Sequence, residues 1–321
     1  IMSASLFQPK LFDQAFGKRQ EVIKVTNAFR LINGKGDFCS GLTIDQYDRH
    51  FVIQLFDGKW EKVLCEIVQY IDDKFHPQYI IAKWRISKNG RSLDVPQVKV
   101  LFQQTDSKTV VIENGLKFQI DVHDAVNAGL FLDMRDNRQR VARFVKDRSV
   151  LNTFAYTCSF GVYCKAAGAR EVVNIDISKK VLEKGKANYQ LNNLEVKPQE
   201  FLVRDTEDYL RWCLKKEKKF DCIILDPPSF SRHEGRVFSI QKKLPQLIEM
   251  AIESLAPQVQ VLIATNCSSI SIHQLKEYAM DKIQKLKYRV KQIESYHQAR
   301  DYTESGTMKE SHLAALLVSL N

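Results

Sequence analysis

With 321 residues, 44% of them apolar, the chain can bury a sizeable core and is long enough for two domains. Lys and Arg outnumber Asp and Glu by 48 to 38, a formal charge of +10 that favours a polyanionic partner such as nucleic acid. The excess is spread, with 17 basic against 13 acidic side chains up to residue 120 and 31 against 25 beyond it, so neither part is a detachable basic tail. Seven cysteines, at 39, 65, 158, 164, 213, 222 and 267, are an odd number without CxxC or Cys/His ligand spacing. That usage excludes a disulfide framework and a structural zinc and points to a reducing, cytoplasmic setting. The start of the chain shows no basic-then-apolar leader, and no run approaches the roughly 18 apolar residues of a membrane span.

Residues 6–28 read as a helix, with Leu11, Phe12, Ala15 and Phe16 at helical spacing. Strands follow at 29–32, 41–45 and 51–56 between Gly, Asn and Asp turns, then a helical pattern over 59–75 and a strand at 79–85. These make a small α+β domain, residues 1–108. Thr109–Glu113 and Leu116–Val122 flank Asn114-Gly115, a strong hairpin signal because both turn residues tolerate positive φ. That hairpin, 109–122, is expected to bridge to a second domain over 123–321.

In the second domain strands at 150–154, 171–176, 200–203, 221–225 and 260–265 alternate with helical patterns, the rhythm of a parallel sheet covered on both faces. The stretches 288–296 and 312–320 lack a full helix between them and read as an antiparallel pair ending the sheet. A doubly wound α/β sheet finished by such a hairpin is the Rossmann-like arrangement of class I S-adenosylmethionine-dependent methyltransferases.

Ligands of such sheets sit outside the carboxyl ends of the strands. The first strand runs into Ala155-Tyr156-Thr157-Cys158-Ser159-Phe160-Gly161, a loop of mostly small residues that lets a ligand approach backbone and helix N-terminus. Asp176 ends the second strand, about 20 residues on, where a carboxylate takes the ribose hydroxyls of a nucleoside cofactor. A helix N-cap is the competing use of Asp176, and Ser178 is a second candidate for that cap. Asp205, after the third strand, could accept from an exocyclic amine of adenine. GxGxxG is absent, which removes the main support for a nicotinamide enzyme. Upstream, Arg135 and Arg138 lie three apart on one helix face and could meet a carboxylate or phosphate, or simply face solvent.

The fourth strand stops at Asp226-Pro227-Pro228-Ser229-Phe230. Two prolines fix φ and remove two donors, so the loop is stiff and is expected not to continue into pairing. After the fifth strand comes Thr265-Asn266-Cys267-Ser268-Ser269, which puts a cysteine across the cleft from Asp226, suitably placed to be a nucleophile. Cys164, Cys213 and Cys222 read as small core residues.

The runs GLFLDMRDNRQRV (129–141), LNTFAYTCSFGVY (151–163), VVNIDIS (172–178), ANYQLNNL (187–194), LDPPSFSR (225–232) and TNCSS (265–269) resemble the bacterial 23S rRNA large-subunit methyltransferase I family. RLINGKGDFCSGLTIDQY (30–47) is similar to that family's small central domain, so the likeness spans residues 6 to 320. The resemblance implies S-adenosylmethionine as cofactor, held by Phe131, Asp133, Arg135, Asn152, Phe154, Tyr156, Thr157, Ser159, Asp176, Ile177, Asp205, Asp226 and Pro227. It implies RNA, 23S rRNA or a large-subunit precursor, as partner, with Pro228, Ser229 and Phe230 holding the base and with no membrane or metal; a homodimer stays open. Members of the family begin with an RNA-binding PUA domain, and this chain starts where that domain would end. They also carry glycine where this chain has Cys158, whose side chain would crowd the cofactor's amino-acid moiety unless it turns away.

For a cytosine target the resemblance implies a covalent mechanism. The C5 carbon is too weak a nucleophile until a thiolate, from Cys267, adds to C6, while Asp226 holds the base edge near N3 and the amine. A base must then remove the C5 proton. Nitrogen-directed methylation by the DPPSF loop without a cysteine, a non-catalytic RNA-binding protein with a decayed pocket, and a small-molecule methyltransferase are the alternatives.

Overall fold

Arg19 decides the shape of the first segment. The computed structural model describes residues 6–86, 92–124, 127–233, 236–304 and 313–321. Helix α1 (Pro9–Gly17) opens on a proline, whose missing N–H costs nothing there, and buries Phe12 and Ala15. It stops at Gly17 rather than running to 28, because the Arg19 fork turns inward: it clamps both oxygens of Asp37 and donates to the carbonyls of Arg30 and Asp301.

The chain divides into two units, Ile1–Arg135 with Ala299–Glu310 and Asp136–Gln298 with Ser311–Asn321. In the first, β1 (Ala28–Asn33), β2 (Leu42–Tyr47), β3 (His50–Leu55), β4 (Tyr79–Ile86) and β5 (Ser92–Gln103) form a sheet in that order. Only β3 and β4 are parallel, joined through α2 (Leu64–Phe75). Strand β5 was not expected from the sequence; Asp94 and Pro96 interrupt its apolar pattern, and an edge strand tolerates such a proline. One sheet face packs Leu31, Ile44, Phe51 and Ile53 against α1 and α2. The other is polar, a chain in which Gln54 donates to Asp45 at 3.2 Å, Arg85 donates to Gln54 at 2.9 Å and Arg30 grips Asp45. Lys83 lies on that strand only 2% exposed, donating to the Asp124 carbonyl, and burial lowers its pKa to about 8.

The hairpin β6 (Lys108–Glu113) and β7 (Leu116–Asp121) turns through Asn114 and Gly115 at φ of 49° and 81°, as the sequence led us to expect. It is part of the first unit rather than a bridge. Asn27 donates to the Ile112 carbonyl and accepts from its N–H, and Asn114 donates to the Val25 carbonyl, so the unit runs on to Arg135. It also takes back 299–310, so the division expected at 108 and 122 is corrected to 135 with a return crossing near the C-terminus.

The second unit begins within α3 (Arg135–Ala142). Its strands are β8 (Ser149–Thr153), β9 (Glu171–Asp176), β10 (Phe201–Val203), β11 (Phe220–Leu225), β14 (Leu255–Thr265), β15 (Val290–Tyr296) and β16 (Ala314–Leu320). They lie in the order β10-β9-β8-β11-β14-β16-β15, with β16 antiparallel to both β14 and β15 and the rest parallel. The doubly wound sheet with an antiparallel end is thus as expected; His312, taken with the last strand, lies outside the described residues. Helices α4 (Ser159–Ala166), α5 (Lys179–Leu191), α6 (Thr206–Lys215), α7 (Ile240–Glu253) and α8 (Ile272–Lys285) connect the strands. A short hairpin, β12 (Phe230–His233) and β13 (Arg236–Ser239), follows the two prolines, so pairing resumes at Phe230, contrary to expectation. The prolines sit before the ladder, where no donor is needed.

Gly161 of α4 lets that helix press on the sheet: a Cβ there would stand 2.2 Å from the Asn174 Oδ1 and 2.7 Å from the Tyr189 hydroxyl. Gly161→Ala is therefore expected to cost about 1–3 kcal/mol in urea denaturation. Lys83 supplies a pH signature. Its pKa is lower folded than unfolded, so between about pH 8 and 10.4 the unfolded chain holds a proton there that the folded one lacks, and the contribution of Lys83 to stability rises with pH. The buried thiols of Cys39, Cys158, Cys164, Cys213 and Cys222 act in the opposite direction, so Lys83 is read by difference: between pH 7.5 and 9.5 stability should fall more steeply in Lys83→Met than in the parent.

Candidate functional site

The strand order reverses at β8, with β9 on one side and β11 on the other, and a crevice opens there at the carboxyl ends. Four loops of the second unit line this edge. The first, after β8, is unusual in backbone: Phe154, Tyr156 and Cys158 have φ of 51°, 49° and 58°. Each left-handed non-glycine residue costs on the order of 1–3 kcal/mol and persists only when its surroundings over-determine it. Here Ala155 donates to the Ile175 carbonyl at 2.8 Å, Tyr156 N–H donates to the Asp176 carboxylate at 2.9 Å, and Asn188 holds the Thr157 carbonyl at 3.0 Å.

Cys158 does turn away. Its thiol is buried against Gly185 of α5, where an added Cβ would meet the Sγ at 2.3 Å, and burial raises its pKa well above the usual thiol value. The cradle is therefore not crowded by it.

Asp176 ends β9 half-buried, its two oxygens accepting from the backbone N–H groups of Tyr156 and Ser178 at 2.9 Å each. Burial raises its pKa, and the Ser178, Tyr156 and Ile177 N–H groups oppose the rise. It is not the cap of α5: Ser178 occupies that position, without a side-chain cap bond. Ile177 beside it is 41% exposed, an apolar wall at the rim. Asp205 does cap a helix, accepting from Asp208 N–H at 3.0 Å at the start of α6, with its side chain exposed to solvent.

Asp226 and Pro227 follow β11 directly. Ser229 then donates to the Asn266 side chain at 2.5 Å, tying the proline loop to the loop after β14. Cys267 is half-buried in that second loop, its N–H on the Thr265 hydroxyl and its Sγ 3.1 Å from the Ser269 hydroxyl. The expected base-holding loop and the expected nucleophile are thus neighbours. Pro228 is half-buried beside them, and Phe230 begins β12.

Three expected cofactor residues have side chains that are buried in the protein. Arg135 belongs to the first unit and is 1% exposed, its guanidinium on Asp301 at 2.8 Å and on the Ala28 carbonyl, with Glu113 at 3.4 Å. A buried arginine must be paired, and here the partners are protein carboxylates; Arg138 is likewise buried, so neither faces solvent. Asn152 is buried and donates to its cross-strand neighbour Asn174 at 2.9 Å, which in turn donates to Tyr189. Thr157 is buried too and offers the cleft no side chain. Phe154, Tyr156 and Ser159 are half-buried at the crevice edge. Phe131 and Asp133 lie in the first unit, Phe131 exposed and the Asp133 carbonyl accepting from Ala299. Sequence reasoning gave no role to Asn188 and Gly185, which support the cradle from α5; Asn188 lies in the ANYQLNNL run, and Gly185 was only a glycine inside a helical pattern.

Among the described residues no helix is long and apolar enough to cross a membrane, and no three His, Cys, Asp or Glu side chains cluster as metal ligands.

Comparison with known proteins agrees with this geometry. The profile of the S-adenosylmethionine-dependent methyltransferase family matches residues 99–312, well over half of the chain. Ribosomal RNA large subunit methyltransferase I of Shewanella frigidimarina is 32% identical over 293 residues, 91% of this chain and 74% of that protein. The protein of that name from Tolumonas auensis is 31% identical over 251 residues, 78% of this chain but only 63% of its own length. A crystallised methyltransferase, SMU.776 in complex with S-adenosylhomocysteine, superposes with a TM-score of 0.88 at 25% identity, covering 99% of this chain and 83% of that one. The strained loop after β8, the acid ending β9 and the matched profile together establish that the chain belongs to the S-adenosylmethionine-dependent methyltransferase family, among the relatives of ribosomal RNA large subunit methyltransferase I.

Proposed function

We propose that the protein transfers a methyl group from S-adenosylmethionine to RNA, ribosomal RNA of the large subunit, at C5 of a cytosine, with Cys267 as nucleophile. The observation that carries the reading is the 2.5 Å bond from Ser229 to Asn266, which brings the Asp226-Pro227-Pro228 loop beside Cys267. The relatives' names and the +10 charge support RNA as substrate.

The residues fit the cofactor. Cys158 leaves the cradle after β8 clear, the Asp176 carboxylate can accept from ribose hydroxyls, and Ile177 offers an apolar face to the adenine, with Asp205 near its amine. Bound there, S-adenosylmethionine supplies an electrophilic methyl group on a sulfonium. The Cys267 thiolate adds to C6, forming an S–C6 bond as the C5–C6 π pair moves toward C5 and N3. Asp226 holds the N3 and amine edge, and the proline loop stiffens that grip. Methyl transfer to C5 would release S-adenosylhomocysteine, and a general base would then take the C5 proton, the C–H pair re-forming the C5–C6 double bond and expelling the Cys267 thiolate. The clear cradle weighs against a decayed pocket.

Two measurements test this reading. Removing the carboxylate in Asp176→Ala should weaken S-adenosylmethionine binding in calorimetry by about 10- to 100-fold, the range for a hydrogen bond to a charged group; unchanged affinity would take Asp176 out of the site. Cys267→Ala should lower methyl transfer to rRNA at least about a thousandfold, and RNA bearing 5-fluorocytidine should leave a denaturation-resistant adduct with the parent but not with Cys267→Ser. Full activity of Cys267→Ala would shift the reading to a ring or exocyclic nitrogen.

A further inference from the structure

The first unit carries an exposed aromatic that its core does not need. Phe38 is 76% exposed and sits at φ 60°, ψ 18°, directly after the tight turn Gly34–Asp37. A bulky side chain is disfavoured in that left-handed conformation, which glycine adopts freely. The turn beneath it is rigid. Asp37 is buried and held by Arg19, Lys18 and the Asn33 N–H, and Gly36 approaches the Thr303 carbonyl so closely that a Cβ would stand 2.1 Å from it. Phe38 is therefore a ring held outward by a pinned loop.

Its surroundings are basic. The Lys18 ammonium is 5.9 Å from the ring centroid, and Lys35 is exposed three residues before it. The loop after β3 lies alongside: Phe56 N–H donates to the Gly41 carbonyl, and the Trp60 indole donates to the Ser40 carbonyl at 2.9 Å. That loop adds Phe56, 47% exposed, and Lys59, whose ammonium pairs with Asp57 at 3.1 Å. Lys18 and Arg19 share Asp37, and Lys59 shares this end with Asp57, so with Lys35 the cations outnumber the acids.

We propose that this end of the five-stranded sheet docks single-stranded RNA, with an unpaired base stacked on Phe38 and neighbouring phosphates met by Lys18, Lys35 and Lys59. The inference rests on the reading of RNA as substrate. An aromatic face beside cations suits a single strand, because every base offers a π face and every linkage a phosphate. A pinned ring loses little freedom on binding. A lone exposed apolar side chain needs no explanation, but one held against its backbone preference, among lysines, has a partner to meet.

The test uses the whole chain and a fluorescein-labelled unstructured RNA 20-mer, read by anisotropy across salt concentrations, with S-adenosylmethionine calorimetry as the check on folding. Phe38→Ala and Phe38→Leu should each bind about 5- to 100-fold more weakly, the range for one base–aromatic stack, while Phe38→Trp holds parental affinity. Lys35→Gln and Lys59→Gln should each reduce the slope of log affinity against log salt by about 0.7. Phe38→Gly should raise the melting midpoint while losing the same affinity as Phe38→Ala. Parental binding with equal affinity in all Phe38 variants overturns this inference alone; no binding by the parent overturns the RNA reading with it. Retention by Phe38→Leu removes stacking, and a dimer that dissociates on Phe38→Ala assigns the face to a second copy, which also overturns the proposal.

Discussion

The reversal of strand order at β8 is the constraint from which the rest of the second unit follows. Two strands, β9 and β10, lie on one side of β8 and four, from β11 to β15, on the other, so the loops leaving β8 and β11 diverge and a crevice opens between them. Whatever stands at the carboxyl ends is thereby exposed to a ligand. Asp176 after β9, Asp226 after β11 and Cys267 after β14 occupy those ends because each strand stops there, and the sheet register holds them at fixed spacing.

A crevice alone does not make a cradle. The loop after β8 holds three left-handed residues in five positions, a conformation the isolated chain would abandon. Its support is a buried polar relay under the sheet, from Asn152 to Asn174 to the Tyr189 hydroxyl, with Gly161 small enough to let α4 close over it. A satisfied network of this kind is rigid, and losing one member leaves the others unpaired in a dry interior. Asn188 extends the same support to the Thr157 carbonyl. The Cys158 thiol is part of the anchoring: fitted against Gly185, it turns a side chain that would have blocked the cradle into packing between the loop and α5.

Periodicity carried the sheet. All seven strands of the large sheet were legible, the parallel ones because buried parallel strands are short apolar runs bounded by turns, and their ends fell close to the observed ones except at the start of β14, expected at Gln260 and found at Leu255. Strand β5 and the hairpin after Pro228 were not legible, since Asp94, Pro96 and the polar run 231–236 break every simple pattern while edges and short hairpins tolerate them. At the site, strand-end acids were legible because position alone exposes them. The side-chain partners of Arg135 and Asn152 were not legible for one reason: sequence shows that a residue is polar but not whether a partner lies opposite. Asp301 is 166 residues from Arg135 and Asn174 is 22 from Asn152, and only the folded chain brings them into contact. The unit boundary failed in the same way, since the return of 299–304 to the first unit rests on the hold of Arg19, Arg135 and the Arg30 N–H on Asp301.

The seven thiols are sorted by burial rather than by sequence. Burial raises Cys39 and Cys222 to about 12 and Cys213 to about 11, and it raises Cys158 and Cys164 well above the ordinary thiol value. A thiol so raised is protonated at neutral pH and inert as a nucleophile. Two remain outside the core. Cys65 is exposed on α2 of the first unit, the helix that covers the apolar sheet face. Cys267 is half-buried at the carboxyl end of β14, beside a serine hydroxyl and next to Asn266, which receives Ser229 of the proline loop. Partial access at a strand end is what the proposed nucleophile requires, and Cys267 is the half-buried thiol that stands there.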